Sequence, residues 1–385
     1  MRNFVSRRAE EIPPSGIRKY FDLILTMEDV ITLGVGEPDF RTPWNICESS
    51  IYSIEQGTTS YTSNKGLQSL REALSRDLEQ RYSLRYSADS EMIITTGVSE
   101  GLDIALRAVT DPGDEVLIAQ PSYVSYAPCV TLAGGSPVPV RCTEKDRFRL
   151  NPDLLAEKIT SRSKALIINF PNNPTGGIMG KGDLKAIADL VIDHDLLLIS
   201  DEVYAELTYE GRHCAAATVS DLWERTITLN GFSKAYAMTG WRVGYLCAPQ
   251  KLLDAALKIH QYVMLCAPVM GQVGAVEALR SAEDEKNGMV SEYRLRRNMF
   301  VAGLNRIGLS CHMPEGAFYA FPSVKETGLS DVEFAERLLK EQHVAVVPGS
   351  VFGAGGEDHI RCAYAVSRKD LGTALTRMEA FLKTL

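Results

Sequence analysis

Short apolar runs alternate with amphipathic stretches along most of the chain. Mostly apolar runs at 116–119, 164–170 and 196–200 are typical of strands buried on both faces of a sheet. The apolar positions at 68–81 and 181–194 follow a helical period instead. Strands that alternate with helices in this way predict an α/β fold with a largely parallel sheet.

The C-terminal third of the sequence contains longer helical patterns. One pattern runs from Gln250 to about Ala278, and a charged helix is expected from about Asp284 to Asn305. Short strands and helices alternate after it. A chain of 385 residues is too long for one small core and suits two α/β domains.

Composition narrows the class of protein. Apolar residues make up 45% and charged residues 23%, as in ordinary globular proteins, and the net charge of −8 argues against nucleic-acid and anionic-membrane partners. The charged segment Met1 to Glu11 lacks the apolar part of a signal peptide, and prolines interrupt the uncharged stretch 116–140. We therefore expect a cytoplasmic protein without a membrane helix. The eight scattered cysteines and six histidines show no metal-ligand spacing, so we expect reduced thiols and no metal.

The clearest chemical candidate is Lys234. It follows a β-type run at 225–229 and a Gly-Phe-Ser turn, and Arg242 stands eight residues later between Gly240 and Gly244. Most lysines are exposed surface charges. A lysine at the end of a strand and near an arginine is expected to lose its proton more easily, because burial and a positive neighbour both disfavour the ammonium. A neutral lysine amine is a nucleophile toward carbonyl groups.

Other polar residues follow predicted strands, whose carboxyl ends are where open α/β sheets bind ligands. Gly97 and Ser99 stand where the strand from Met92 runs into a helix, a position suited to an anion. Tyr123 follows the strand at 116–119 and either stacks on a flat ring or packs in the core. Asp201 follows an apolar run, so it either meets a cation or caps a helix.

Three further segments carry candidate groups. The loop Pro171–Gly176 contains two prolines that fix its backbone and two asparagines that offer amide donors. Arg361 lies in an alternating apolar strand; its guanidinium suits a carboxylate ligand, but an internal salt bridge or a solvent-facing position also fits the pattern. Gly36 is either a point of close approach to a ligand or part of a plain turn.

Taken together, these segments resemble the class I/II aminotransferases of fold type I, the aspartate aminotransferase-like enzymes. The similarity rests on the Ser-Lys pair and the Met-Thr-Gly-Trp-Arg run within 233–242, on Pro-Asn-Asn-Pro-Thr-Gly at 171–176, and on the spacing from Asp201 to Tyr204. It covers the chain from about Ile17 to the C-terminus.

The resemblance implies a fold, a cofactor and an assembly. The expected fold is α/β, with a mostly parallel seven-stranded sheet between helices in a large domain at 44–280. A smaller α/β domain would combine 1–43 with 281–385. The implied cofactor is pyridoxal 5′-phosphate, and the implied assembly is a homodimer with shared active sites.

The resemblance also gives the candidates roles at the cofactor ring. Lys234 would hold the cofactor as an imine and move the substrate proton, and Asp201 would keep the pyridine nitrogen protonated. Tyr204 and Asn173 would hydrogen-bond the phenolate oxygen. Tyr123 would stack on the ring.

The remaining candidates would hold the phosphate and the substrate. The implied phosphate contacts are Gly97, Val98, Ser99, Ser233, Arg242 and, from the neighbouring subunit, Tyr61. The implied substrate contacts are Arg361 on the α-carboxylate, with Asn173, Gly36 and Ile17 near it.

Two positions depart from the family pattern. Gly231 stands where relatives often carry a phosphate-binding Ser or Thr, so that contact is missing or comes from Ser233. Ser99 stands where many aspartate-preferring relatives carry lysine. The apolar stretch 261–270 contains no Arg or Lys for a second carboxylate, although it also fits plain core packing.

The implied activity is transfer of an amino group from an L-amino acid to a 2-oxo acid, expected to be 2-oxoglutarate, by a ping-pong mechanism. The donor stays open among aromatic amino acids, aspartate and N-acetyl-diaminopimelate. One alternative is a C–S β-lyase of the same fold, which would release pyruvate and ammonia from cysteine conjugates. A cofactor-binding regulator would need a basic DNA-binding domain, which this acidic sequence does not offer.

Overall fold

The computed structural model describes residues 2, 4–14, 16 and 27–385. The strands in these residues are short and mostly apolar. In chain order they are β1 (Ile31–Thr32), β2 (Met92–Thr95), β3 (Glu115–Gln120), β4 (Ser136–Arg141), β5 (Ser163–Asn169), β6 (Leu197–Asp201), β7 (Thr226–Gly231), β8 (Gly244–Cys247), β9 (Tyr319–Ala320), β10 (Val344–Ala345), β11 (Val347–Pro348) and β12 (Ile360–Ala363).

Strands β2 to β8 form one seven-stranded sheet in the order β2-β8-β7-β6-β5-β3-β4. Strand β8 runs antiparallel to its two neighbours, β2 and β7, whereas the other pairs in the sheet are parallel. The central strands are buried along most of their length, as expected of a sheet covered on both faces. The prediction of an α/β fold with a mostly parallel seven-stranded sheet is confirmed.

Helices cover both faces of this sheet and build the rest of the molecule. The predicted helices at 68–81 and 181–194 are present with nearly the expected bounds. In chain order the helices are α1 (Arg7–Glu11), α2 (Trp44–Glu55), α3 (Gln68–Tyr82), α4 (Gly97–Val109), α5 (Tyr126–Ala133), α6 (Pro152–Ala156), α7 (Lys181–Asp193), α8 (Phe232–Ala235), α9 (Gln250–Val263), α10 (Val269–Ser281), α11 (Glu283–Arg306), α12 (Asp331–Gln342) and α13 (Arg368–Leu382).

Neighbouring residues of one strand show how the two faces are filled. Ile93 of β2 joins an apolar cluster with Leu106 of α4 and Leu253 of α9. Ile94, the next residue, joins a different cluster with Leu74 of α3. Side chains alternate between the faces of a strand, so β2 contributes to both clusters. Burial of these apolar surfaces is the main force that holds the helices on the sheet.

A second region contains the smaller sheets. Strands β11, β12 and β9 form a three-stranded antiparallel sheet, and β1 pairs with β10 in parallel. Their apolar core includes Phe334 of α12, Phe381 of α13 and Tyr293 of α11, the longest helix. Residues that precede the central sheet in the sequence, such as β1, therefore meet residues that follow it, such as β10. The division of the chain into domains at 44–280 and its two flanks stays a prediction.

The expected helix from Gln250 to about Ala278 is wrong as a single element. The structure has two helices, α9 and α10, separated at 264–268. Leu265 has a positive φ of 71°, which leaves the right-handed helical region, and Pro268 stands at the cap position of α10. A proline has no N–H to donate, so it is placed more easily at the start of a helix than inside one.

Among the helices of the described residues, none is both long enough and apolar enough to cross a membrane.

Candidate active site

A cavity of about 670 Å³ opens at the carboxyl ends of the parallel strands. Its walls come from the ends of the central strands, from residues 34 and 36 after β1, and from the small sheet that contains β9 and β12. Eleven of the candidates from the sequence lie on these walls. They are Gly36, Val98, Ser99, Tyr123, Asn173, Asp201, Tyr204, Ser233, Lys234, Arg242 and Arg361.

Lys234 enters the cavity from α8, the short helix that follows β7 directly. Its Nζ donates a hydrogen bond of 2.6 Å to the carbonyl oxygen of Gly36. Burial lowers the pKa of this amine to about 8; the Glu37 carboxylate opposes the change, and the positive charges of Arg361 and Arg242 add to it. The amine therefore releases its proton within about one pH unit of neutrality, as a nucleophile or base requires.

Asp201 is the last residue of β6, and its carboxylate faces the cavity. The Tyr126 hydroxyl donates to Oδ2 at 2.7 Å, and the Val203 N–H donates to Oδ1 at 3.1 Å. Burial raises the pKa of the carboxyl to about 6, against these two hydrogen bonds. No ion pair to Asp201 forms within the described ranges, and it caps no helix. A cationic ligand in the cavity would supply the charge it lacks.

The turn between β2 and α4 forms an anion site. Gly97 has a positive φ of 71°, and a Cβ atom there would overlap the guanidinium of Arg242. A Cβ atom at Gly244 would lie 2.6 Å from the backbone nitrogen of Val98. Glycine at both positions thus allows Arg242 and the first N–H groups of α4 to reach the same space. The start of a helix and a guanidinium together suit a phosphate.

The departure at Gly231 has a packing reason. Its φ of 179° is ordinary extended backbone, so the position does not require glycine for its conformation. A Cβ atom there would lie 2.9 Å from both the Cα of Gly244 and the carbonyl oxygen of Val243. The close pairing of β7 with β8 leaves no room for a hydroxyl side chain. Ser233 lies on the cavity wall nearby and is the remaining hydroxyl of this turn.

Arg361 of β12 is only 2% exposed, and its guanidinium lies between the rings of Tyr319 and Phe352, 4.6 and 4.8 Å from their centroids. Its Nη1 donates to Asn173 Oδ1 at 2.9 Å and its Nη2 to the carbonyl oxygen of Gly34 at 2.6 Å. It forms no ion pair with any described residue, so both the salt-bridge and the solvent-facing alternatives are wrong. The buried Nε has no partner among the described groups.

Tyr204 and Asn173 face the same space. The Tyr204 hydroxyl lies 2.8 Å from the hydroxyl of Tyr319, and burial raises the pKa of Tyr204 well above its usual value, so both phenols remain protonated near neutral pH. Asn173 is held by its own N–H, which donates to Asn169 Oδ1 at 3.0 Å. In the same loop, Asn172 Oδ1 accepts from the backbone and the hydroxyl of Thr175. These bonds fix the Pro171–Gly176 loop.

Tyr123 is partly exposed at the cavity wall and is not a core residue. Its ring meets that of Tyr126 edge to face, with centroids 5.8 Å apart. One face of the ring is thereby left open toward the cavity side, where Tyr123 can cover a flat ligand.

The candidate Tyr61 is not brought to the cavity. Tyr61 is 82% exposed and is absent from the cavity wall. Ile17 lies outside the described residues. The segment that contains Tyr61 lies beside the segment at 262–265, because Asn64 donates a hydrogen bond to the Leu265 carbonyl at 2.8 Å. That neighbouring segment contains Tyr262, which is 87% exposed.

The wall residues that were not recognised from the sequence include Tyr126, Tyr319, Thr239 and Asn169. Tyr319 and Asn169 each had a signal, since Asn169 ends a predicted strand and Tyr319 follows a Pro-Glu-Gly turn. Tyr126 begins a helix whose apolar pattern is typical of plain packing, so its polar end carried no signal.

The donor set fits the phosphorylated pyridine cofactor that the resemblance implies. Arg242 and the start of α4 suit the phosphate, and the buried Asp201 suits a protonated ring nitrogen. Lys234 supplies an amine, and Tyr123 a flat surface. Arg361 lines the cavity without an ion pair to any described residue, so it remains for a carboxylate.

Comparison with known proteins gave matches along nearly the whole chain. The family model described as aminotransferase class I and II matches residues 28–378. The protein YugH of Bacillus subtilis (strain 168) is 52% identical over 382 residues, which cover 99% of each chain. The aspartate aminotransferase of Pyrococcus abyssi (strain GE5 / Orsay) is 44% identical over 98% of each chain. The crystal structure of an aromatic aminotransferase from Pyrococcus horikoshii OT3 superposes with a TM-score of 0.91 at 43% identity, covering 96% of this chain and 99% of that one.

Proposed function

Since the chain belongs to the class I and II aminotransferases and is a pyridoxal-phosphate-dependent transaminase, we propose that it moves the amino group of an L-amino acid to 2-oxoglutarate in a ping-pong reaction. The single observation that carries this is the position of Lys234. Its amine, with a pKa lowered to about 8, lies in one cavity with the buried side chains of Asp201 and Arg361.

When bound, the cofactor supplies an aldehyde that reacts with amines and a ring that accepts the electrons released at the substrate Cα. The chain's own residues hold it in the proposed arrangement. Arg242, Ser233 and the N–H groups of Val98 and Ser99 bind the phosphate. Asp201 holds the proton on the ring nitrogen.

Asn173 and Tyr204 donate to the phenolic oxygen in this proposal, and Tyr123 covers one face of the ring. The Asn173 side-chain amide is already oriented by Arg361, which donates to its Oδ1, and the Tyr204 hydroxyl by Tyr319. Both donors are therefore preorganised, which lowers the cost of ordering them when the cofactor binds.

Arg361 binds the α-carboxylate of the amino acid. Two of its nitrogens are already held by Asn173 and Gly34, and the rings of Tyr319 and Phe352 pack against the guanidinium. The second hydrogens of Nη1 and Nη2 are the donors proposed for the carboxylate. The neutral Lys234 amine then takes the proton from Cα, and the buried cavity limits competing reactions with water.

The proposed donor is an aromatic amino acid, aspartate or N-acetyl-diaminopimelate. The cations on the described cavity wall are Lys234, Arg242 and Arg361. With Arg242 on the phosphate and Arg361 on the α-carboxylate, no described wall residue remains to pair with a second carboxylate. This favours a donor with an uncharged distal end, and it makes the donor comparison the first kinetic experiment.

We also propose a homodimer in which Tyr61 reaches the phosphate of the partner subunit. In its support, Tyr61 and Tyr262 are 82% and 87% exposed, and Trp44 of α2 is 69% exposed. Large aromatic side chains so open to water are typical of surfaces that bind another protein. The proposed test combines a Lys234→Ala subunit with a Tyr61→Phe subunit. One wild-type site per hybrid, with full cofactor affinity, is expected if Tyr61 crosses the interface.

The experiment that tests the function is a half-reaction. The purified enzyme is loaded with pyridoxal 5′-phosphate, mixed with one amino acid and no 2-oxo acid, and followed by absorption and by product analysis. We expect one equivalent of the matching 2-oxo acid per site and loss of the visible band, with recovery on adding 2-oxoglutarate. Release of pyruvate and ammonia from a cysteine conjugate, without a half-reaction, would assign a β-lyase instead.

A further inference from the structure

The side-chain carboxylate of Asp201 is held by a residue of another element. Tyr126 is the first residue of α5, and its side chain is almost completely buried. Its hydroxyl donates to Asp201 Oδ2 at 2.7 Å. Burial, together with the nearby Asp201 charge, raises the pKa of this phenol well above its usual value, so the hydroxyl keeps its proton and acts as the donor.

No other described side chain makes a hydrogen bond to this carboxylate. The second oxygen accepts from the backbone of Val203, and Asn169 donates to the Asp201 backbone carbonyl at 2.9 Å rather than to its side chain. The charged groups that act on it from neighbouring elements are Glu202, which is like-charged, and Lys234, which is opposite.

We propose that Tyr126 is a positioning residue, which fixes the plane of the Asp201 carboxylate and keeps it ionised against the cofactor's ring nitrogen. The inference rests on the role proposed above for Asp201. Tyr126 itself acts through Asp201 and needs no contact with the substrate.

The physical reason is a balance of two opposed effects. Burial in the cavity wall favours the neutral carboxyl, because a charge is poorly solvated there. The phenol donates a stronger hydrogen bond to the charged carboxylate than to the neutral carboxyl, and so favours the carboxylate. Without the hydroxyl, Asp201 retains its own proton at a higher pH. A protonated Asp201 no longer stabilises a positive charge on the ring nitrogen.

The test measures the Asp201 carboxyl directly in cofactor-free protein. Its titration is followed by difference infrared spectroscopy, with the band identified by its loss in Asp201→Asn. The wild-type carboxyl is expected to titrate with a pKa of about 6. In Tyr126→Phe the pKa of the Asp201 carboxyl is expected to rise by about one unit, which makes it about a tenfold weaker acid.

Tyr86→Phe is the matched control. Tyr86 is also buried, and its hydroxyl lies 3.2 Å from the Thr228 hydroxyl in the same sheet, away from Asp201. This variant loses a buried phenolic oxygen of the same kind, and the Asp201 titration is expected to stay at its wild-type value. An equal change in both variants would show a general effect of loosened packing and overturn the proposal.

A second substitution tests the opposite direction and avoids a loss of packing. Site-specific 3-fluorotyrosine at position 126 keeps the ring and makes the hydroxyl a better donor, so Asp201 is expected to become a stronger acid. Unchanged or weaker acidity with fluorotyrosine would refute the proposal even if Tyr126→Phe failed to fold.

The loaded enzyme gives a separate readout. In Tyr126→Phe the acid limb of the kcat profile is expected to move to higher pH by the same factor as the carboxyl, with KM for the amino acid little changed. If the Asp201 pKa rises in Tyr126→Phe but the loaded wild type has no transaminase activity, the role of Tyr126 stands and the proposed function is refuted. If the loaded wild type is active but the Asp201 pKa is unchanged in Tyr126→Phe, the proposed function stands and the role of Tyr126 is refuted.

Discussion

Replacing Asp201 with asparagine is expected to stabilise the cofactor-free protein while removing its activity. Burial raises the pKa of this carboxyl from 3.8 to about 6. A raised folded-state pKa means that the folded protein holds the proton more tightly than the unfolded chain. The wild type therefore loses stability as the pH rises from 3.8 through 6, and at pH 8 it carries the full cost.

The size of this cost follows from the difference of about 2.2 between the two pKa values. At about 1.36 kcal/mol per pKa unit, the ionised carboxylate costs up to about 3 kcal/mol at pH 8, and about half of that at pH 5. Unfolding entropies of about 2 cal/mol/K per residue convert 3 kcal/mol into a rise in Tm of up to about 4 °C for a chain of this length. Asparagine keeps an oxygen for the Tyr126 hydroxyl, so most of the gain should survive.

The assay is thermal unfolding of cofactor-free wild type and Asp201→Asn at pH 5 and pH 8. We expect the variant to be more stable at pH 8 and the gap to shrink at pH 5. Glu115→Gln is the control of opposite sign, because hydrogen bonds from Thr160 and Arg162 lower the pKa of that carboxyl and stabilise the fold when it is charged. A variant Asp201→Asn that is less stable at pH 8, or a gap independent of pH, would refute the reasoning.

Three further substitutions test separate parts of the site. Lys234→Ala should abolish the half-reaction in the product assay while the protein still retains pyridoxal 5′-phosphate non-covalently on gel filtration; normal turnover would remove Lys234 from its role. Arg361→Lys should raise KM for amino acids by about tenfold or more in steady-state kinetics, since one charged hydrogen bond contributes about 1.5–3 kcal/mol, and an unchanged KM would contradict the carboxylate site. Gly97→Ala should weaken binding of pyridoxal 5′-phosphate but not of unphosphorylated pyridoxal in fluorescence titrations, because its φ of 71° and its contact with Arg242 leave no space for a methyl group; equal losses for both ligands would point to general misfolding.

The central sheet could be predicted from the sequence because its strands carry their own pattern. The runs ending at Asn169 and Asp201 are apolar and end in polar residues, so both the strand and its functional end are visible in one short segment. The break in the helix before Pro268 was missed, since the apolar period continues on both sides of it. Whether such a period is interrupted depends on packing against the neighbouring chain segments, which the local pattern does not contain.

Residues of the cavity wall could be predicted where a charged side chain stands in an otherwise apolar stretch of sequence. Lys234, Asp201 and Arg361 are charged groups in apolar surroundings, and the structure brings all three to one cavity. Tyr126 and Tyr319 were missed because a buried tyrosine is ordinary, and only the three-dimensional contact reveals what its hydroxyl meets. The direction of a hydroxyl depends on the crossing of elements far apart in the sequence.

Strand β8 is the one member of the central sheet that runs against its neighbours, and it lies between β2 and β7. Its first residue, Gly244, therefore sits beside the carboxyl ends of both, where it touches the Gly97 turn and Gly231. The segments around Gly97, Gly231 and Gly244 are thereby aligned in one register. Arg361 and Gly36 come from other sheets and loops. Substitutions around Arg361 and Gly36 can thus reshape that wall of the cavity without disturbing the contacts among the three glycines.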